Sequence, residues 1–397
     1  MDFDDSPEQA EFRREARAWL DANAEVRDGE SSMWRALRPQ NDADDRWALQ
    51  RARQWQATKY GGGYTGLHWP VEVGGRGLSP HIAGVFKQEE SRYDVPANAF
   101  QVGVDMVGPT LIRHASKDLC RRHLDTTLRG DDFWCQLFSE PGAGSDLAGL
   151  TTRAFRDGDR FIVNGQKVWT TTAHWATHGL LLARTNPEAP KHKGITAFVV
   201  DMSTPGIDIR PLRQADGAEH FNEVFLTDVE IPADNVVGAV DDGWAVAHTM
   251  LSSERSAIAG GGMVQFDEIL MLARDRDRGE DPLVRQDLAR LYSYFEISRF
   301  LGYRVQTALS HGRTPGPESS VMKLHISRQY EFGGDVMMSI LGAAAMSWGD
   351  SAPFGGFFQG VFMAQWAPRI GGGTDQIQRN IVGERVLGLA GEPRRDR

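Results

Sequence analysis

A chain of 397 residues exceeds one average hydrophobic core and predicts two or three domains. Hydrophobic residues at 41% and charged residues at 25% describe a globular protein rather than a disordered or fibrous one. The net charge of -10 argues against non-specific binding to nucleic acid or anionic membrane, because both need a basic surface.

Two cysteines, Cys120 and Cys135, supply no disulfide framework and predict a reducing compartment. The start, Met1 to Asp5, lacks the basic and then apolar stretch of a secretory signal. The longest uncharged run, Ser351 to Pro368, is broken by glycines and Pro353 and falls short of the ~20 apolar residues of a spanning helix. A cytoplasmic protein without membrane insertion is expected.

The first third reads as helical. Ser6-Pro7-Glu8-Gln9 has the form of a capping box with proline at the first helical position. Phe12, Ala16, Trp19 and Leu20 then make one apolar helix stripe. Gly61–Gly63 and Gly74-Gly75 interrupt, and helical character resumes over Ile82–Glu90 and Pro109–Arg129. After Gly130 the period changes to two. Asp157-Gly158 and Asn164-Gly165 read as hairpin signals, with further strands at Ile195–Val200 and Asn222–Ile231. From Gly243 the helical period returns. The expected fold class is α+β, with an N-terminal helical domain (1–130), a middle antiparallel β domain (131–240) and a C-terminal helical bundle (241–397).

Four segments have residue types suited to chemistry, and each read alone has a structural alternative. Phe138-Ser139-Glu140-Pro141-Gly142-Ala143-Gly144-Ser145-Asp146 is a loop whose backbone can approach a ligand closely, or an ordinary turn. In Gln166–Thr172, Trp169 and Thr171 share a strand face, where an aromatic beside a hydroxyl suits a planar cofactor or simply a sheet core. On the helix from Gly243, Trp244, Ala247, Leu251 and Ile258 form the apolar stripe, flanked by Glu254 and Arg255. A carboxylate at the edge of a buried face suits a general base or a structural ion pair. Gly371-Gly372-Gly373-Thr374 runs into a helix capped by Thr374 or Asp375, offering bare backbone N–H groups or a tight connection. His174 and His178 lie four apart but follow a strand and have no cysteine or acidic cluster with them, so no metal site is expected.

The order of these four segments closely resembles that of the acyl-CoA dehydrogenase flavoproteins. The resemblance covers nearly the whole chain, including Val224–Pro232 and Glu384–Leu389. It implies FAD as cofactor and α,β-dehydrogenation of an acyl-CoA as the reaction. Gln136, Phe138, Ser139, Gly144, Ser145 and Thr170 then fall at cofactor-contact positions. Trp169 matches the residue covering the flavin ring, and Thr171 one that hydrogen-bonds near its reactive nitrogen. Thr374 and Gln376 match dinucleotide contacts. Ser145, Arg255 and Gly373 match substrate contacts, and the N–H of Gly372 matches a donor to the thioester oxygen.

Two departures stand out. Most members have the catalytic Glu directly before the Gly-Thr pair, where this chain has Gly372; a minority take it from the helix position matching Glu254, directly before an arginine. Glu254 is therefore the expected base, and glycine at 372 leaves room for a bulky or branched acyl group. The Arg-x-x-Phe segment and the glutamine through which many members reach a neighbour's flavin are also altered. Here they read Arg274–Arg278 without the phenylalanine and Ser339, with Gln286 as a remaining candidate contact. The resemblance implies a homo- or hetero-oligomer and an electron-transfer flavoprotein as acceptor. A flavin oxidase or monooxygenase on the same scaffold and a partner subunit of a hetero-oligomer are the alternatives.

Overall fold

A computed structural model describes residues 5–26, 42–96, 98–258, 264–310 and 318–391. These divide into two compact units, one holding the described residues up to Glu254 and the other those from Arg255 onward.

The first unit opens with helices α1 (Pro7–Asn23), α2 (Asp42–Gly61), α3 (Pro80–Glu90), α4 (Gly108–His114) and α5 (Lys117–Arg129). The capping box at α1 forms in full: Ser6 Oγ accepts from Gln9 N at 3.2 Å, and Gln9 Oε1 accepts from Ser6 N at 2.9 Å. The helix read as continuous over 109–129 is two helices. Ala115 turns extended, and the Ser116 side chain caps α5 by accepting from Leu119 N.

The strands are β1 (Trp134–Leu137), β2 (Arg153–Asp157), β3 (Arg160–Thr171), β4 (His178–Arg184), β5 (Ile195–Asp201), β6 (Ile207–Leu212), β7 (Phe221–Pro232) and β8 (Val236–Val237). They form one sheet ordered β6-β7-β3-β2-β4-β5-β8, with β1 beside β4. Most pairs are antiparallel; β1 lies parallel to β4, with Gln136 opposite Leu180. Asp157-Gly158 makes the expected turn between β2 and β3. Asn164-Gly165 does not turn the chain: it lies inside β3 at an irregularity in the register with β7. The Asn164 side chain instead binds across to Asp228, donating to its carboxylate and accepting from its N–H, both at 2.9 Å. Gly165 is needed there because Thr152 presses close, only 2.4 Å from where a Cβ would stand.

Strand periodicity sends alternate residues of β4 to opposite faces. Leu180 and Leu182 join Trp69, Leu111, Leu119 and Leu128 in a core shared by helices and sheet, while Leu181 and Ala183 join Phe198, Val224 and Ile231 in a second core. Residues on both sides of position 130 thus share one interior. Helix α6 (Gly243–Ile258) begins in this unit and buries Val246, Ala247 and Met250 in the shared core. Its first turn lies so close to β5 that a Cβ on residue 243 would stand 2.7 Å from the Ala197 nitrogen, which explains the glycine.

The second unit contains α7 (Phe266–Asp275), α8 (Pro282–Ser310), α9 (Glu318–Leu341), α10 (Phe357–Ala364), α11 (Ala367–Ile370) and α12 (Asp375–Ile381). Ile269, Leu272, Leu288, Leu291, Met337, Ile340, Phe357 and Phe358 form its core. The helical, sheet and helical order expected from sequence is present. No helix among the described residues is long and apolar enough to cross a membrane.

Candidate functional site

Strand β1 leads directly into the Phe138–Ser145 loop, and the loop is bound to β3. The Phe138 ring is buried, so backbone rather than ring is what that residue can offer a ligand. Its carbonyl accepts from Lys167 Nζ at 3.0 Å, and the Ser139 carbonyl accepts from Val168 N at 2.9 Å. Gly144 and Ser145 are exposed, and a Cβ at Gly142 or Gly144 would meet nothing within 4 Å.

The clamp beneath this loop is a buried ion pair that the sequence reading did not single out. Lys167 Nζ lies 2.8 Å from Glu140 Oε1, with side-chain exposures of 0% and 4%. Glu140 also accepts from Thr151 N, Thr151 Oγ1 and Thr152 N. Burial raises the Glu140 pKa, but Lys167 and these donors outweigh it and hold the carboxyl at about 2. Burial pushes the Lys167 pKa down to about 8 against the pull of Glu140. The signal available in the sequence was a lysine within a run otherwise uncharged from Phe161 to Thr172, and an acid, Glu140, in the glycine loop.

Two residues beyond Lys167, Trp169 adopts a left-handed backbone (φ 59°) where the register of β3 on β7 shifts. A non-glycine residue there costs roughly 1–2 kcal/mol. The bulge leaves the indole 61% exposed, with Phe221 edge-on to it. Thr171 is also exposed, while Thr170 is buried and its Oγ1 lacks a hydrogen-bond partner among the described residues. An uncovered flat ring, an orphaned hydroxyl and an open glycine loop fit a planar, hydrogen-bonding cofactor such as a flavin.

Glu254 stands on α6 one turn beyond buried Met250 and is itself half-buried. Its Oε2 accepts from Gln136 Nε2 on β1 at 3.3 Å. Helix α6 is tied in place by His114 Nε2 and Thr249 Oγ1, 2.8 Å apart. The Arg255 and Ile258 side chains lie outside the described residues.

In the second unit, Gly372 and Gly373 both have left-handed φ, 63° and 87°. Thr374 caps α12, its Oγ1 accepting from Ile377 N at 3.2 Å; Gln376 is exposed. The residues that α12 buries are Asp375 and Gln378, while its apolar Ile377 and Ile381 are only half-buried. Gln378 Nε2 donates to the Gly372 carbonyl at 2.8 Å, and Lys323 Nζ lies 3.0 Å from Asp375 Oδ1. These polar anchors hold the glycine run in its left-handed form, which glycine adopts without a Cβ clash.

His174 and His178 serve different neighbours. His174 faces Asn222, whereas His178 stands with His123 and Asp132. Asp132 is engaged internally, Oδ2 accepting from His123 Nδ1 at 3.1 Å and from Thr126 Oγ1 at 2.6 Å. His178 Nδ1 lies 3.6 Å from Asp132 Oδ1 and 3.1 Å from Thr177 Oγ1, so an acid does stand beside His178, supplied by a residue remote in sequence.

Residues 6–131, 135–229 and 241–387 match the N-terminal, middle and C-terminal domains of acyl-CoA dehydrogenase. The chain belongs to the acyl-CoA dehydrogenase family. It is 36% identical over 388 residues to acyl-CoA dehydrogenase IpdE1 of Mycobacterium tuberculosis, covering 96% of this chain and 98% of that protein. The solved Tcur3481-Tcur3483 steroid ACAD is 30% identical, with a TM-score of 0.84 over 99% of this chain and 100% of that one. The ChsE4-ChsE5 complex from Mycobacterium tuberculosis contains a chain 28% identical, with a TM-score of 0.79 and full coverage of both. Family membership makes this acyl-CoA dehydrogenase an FAD-dependent oxidoreductase of lipid metabolism.

Proposed function

We propose that this acyl-CoA dehydrogenase introduces an α,β double bond into a bulky acyl-CoA thioester, with Glu254 as the general base. The observation that carries the reading is the placement of the Glu254 carboxylate. It is half-buried, hydrogen-bonded to the strand that feeds the Phe138–Ser145 loop, and in the same unit as Trp169. Residue 372, the commoner site of the base, is glycine and has no proton-accepting side chain.

Glu254 takes the α-proton and Trp169 and Thr171 hold the ring system. Phe138, Ser139, Gly144, Thr170, Thr374 and Gln376 are proposed to complete the cofactor contacts, with Gln136 contributing through its backbone. FAD, when bound, supplies the acceptor for the β-hydride. The N–H of Gly372 is proposed to donate to the thioester oxygen, stabilising the negative charge that develops as the proton leaves. Ser145, Arg255 and Gly373 are proposed to contact the substrate. A steroid-like or branched acyl group follows from the small residue at 372 and from the steroid ACAD among the similar structures. An electron-transfer flavoprotein as acceptor and a cytoplasmic location complete the reading.

The test is anaerobic titration with butyryl-CoA, isobutyryl-CoA, palmitoyl-CoA and cholyl-CoA, following flavin absorbance. Bleaching by the bulky or branched members, lost in Glu254→Gln at unchanged flavin content, is the expected result. Activity surviving in that variant would sink the assignment of the base. Oxygen consumption without an added acceptor would favour an oxidase instead.

A second reading makes the chain one subunit of a hetero-oligomer. It rests on the altered Arg274–Arg278 segment and Ser339, and on the ChsE4-ChsE5 complex among its structural relatives. A protein that purifies colourless alone but yellow with a co-expressed paralogue supports it.

A further inference from the structure

Three of the four β1 residues, Trp134, Cys135 and Leu137, are fully buried apolar or sulfur side chains. Gln136 is the exception. A long polar side chain here adds nothing to either core, so its presence calls for a partner. That partner is the Glu254 carboxylate, which accepts from the Gln136 carboxamide at 3.3 Å across 118 residues of sequence.

We propose that Gln136 is the positioning residue of the catalytic base, orienting the Glu254 carboxylate for α-proton removal; this rests on the reading of Glu254 as that base. The resemblance alone put Gln136 among the cofactor contacts, a role its strand backbone still allows. The chemistry of the side chain suits the further task. A carboxylate on a helix has several rotamers, and only some aim an oxygen at a substrate carbon. A hydrogen bond from a neutral amide fixes one rotamer and favours the charged, proton-accepting form. A lysine or arginine in the same place would do this too strongly, lowering the basicity that catalysis needs. An amide also cannot take the proton from the base, so a proton removed from the substrate stays on Glu254.

The experiment uses the FAD-loaded protein and whichever thioester of the four above bleaches it fastest. Gln136→Leu removes the donor, and Gln136→Glu keeps the shape but replaces the donor with a second carboxylate. Loss of a hydrogen bond to a charged group predicts a fall of about ten- to a hundredfold in the single-turnover bleaching rate. Thioester affinity and the 450 nm flavin absorbance per protein are expected to stay within about twofold. In both variants the acid limb of the rate–pH profile is expected to move to higher pH, most in Gln136→Glu, where like charges disfavour ionisation. Exchange of the α-proton of the thioester into deuterated solvent is expected to slow in parallel.

An unchanged rate and pH profile in both variants would overturn the inference. Loss of flavin, with the rate restored by added FAD, would also overturn it, because Gln136 would then serve the cofactor. If Glu254→Gln is itself active, the underlying base assignment fails. If Glu254→Gln is dead while both Gln136 variants match the unaltered protein, only the positioning role fails.

Discussion

Replacing Lys167 by methionine tests whether the loop clamp is a source of stability or only of geometry. The lysine is fully buried against Glu140, and the two groups act oppositely at neutral pH. Glu140 has its pKa lowered from 4.5 to about 2, so it stabilises the fold above pH 4.5, and that contribution is lost as pH falls towards 2. At pH 7 the depression is worth about 3 kcal/mol. Lys167 has its pKa lowered from 10.5 to about 8, so the folded protein resists its protonation. That favourable state exists above pH 10.5 and is gone below 8, leaving a cost of similar size, about 3 kcal/mol, at neutral pH. Both shifts contain the same Glu140–Lys167 attraction, and buried pairs of this kind often contribute little net stability, whereas one ion left alone costs roughly 3–5 kcal/mol. Lys167→Met and Glu140→Gln singly are expected to lose that amount in denaturant unfolding of the FAD-loaded protein. The double variant is expected to lose less than either, retaining the deficit of the Phe138 carbonyl and of the Thr151 and Thr152 donors, which an amide in place of the Glu140 carboxylate cannot fully satisfy. Additive losses, or a Lys167→Met protein as stable as the parent, would refute the reasoning.

Trp169→Gly removes a left-handed penalty of about 1 kcal/mol, so the melting temperature of the apoprotein is expected to hold while FAD affinity, read by fluorescence titration, falls at least tenfold. Parallel loss of both would make the indole a folding element instead. Lys323→Met takes the nearer cation from the buried Asp375 carboxylate and leaves Arg369 at 3.5 Å, so a loss of roughly 1.5–3 kcal/mol is expected in chemical denaturation. Burial raises the Asp375 pKa, but its bonds to Lys323 and Ser327 outweigh that and leave it lowered. Its stabilising contribution is therefore expected to fade as pH drops below the ordinary carboxylate value of 3.8. Gly243→Ala forces a methyl to 2.7 Å from the Ala197 nitrogen and is expected to destabilise the first unit by about 1–3 kcal/mol in urea melts, with no change expected from alanine at exposed Gly142.

The order of helix, sheet and helix was legible because each element buries one face against a core, and burial writes a period into the sequence. Ser6 with Gln9, and Asp157-Gly158, show that short-range hydrogen bonding and turn chemistry were equally readable. Asn164-Gly165 misled for a definite reason. Its turn-forming residues serve a cross-strand bond to Asp228 and a close approach by Thr152, both contacts with residues remote in sequence. Lys167 with Glu140, Gln136 with Glu254 and Lys323 with Asp375 were illegible on the same ground. A charge or an amide announces that it needs a partner but not which residue, 27, 118 or 52 positions away, will provide it. On α12 the buried residues are Asp375 and Gln378, and Gln378 anchors the adjoining glycine run through the Gly372 carbonyl, a use of a polar side chain that no hydrophobic period reveals.

These remote pairs also connect the proposed base to the proposed cofactor platform. Glu254 is bonded to Gln136; two residues along the chain, the Phe138 carbonyl is bonded to Lys167; two further along β3 stands Trp169. Each link is a short covalent step or a hydrogen bond within one compact unit, so a shift at Lys167 reaches the indole and the Phe138 backbone together. Productive proton removal tolerates little displacement of the base from the carbon it attacks, and an ångström of error costs about a hundredfold. The Lys167→Met, Glu140→Gln double variant, which keeps most of its stability by the reasoning above, is then expected to lose turnover out of proportion to its melting temperature. Restoring the lysine without the glutamate is expected to recover neither property, because an unpaired buried ammonium costs more than the gap it fills.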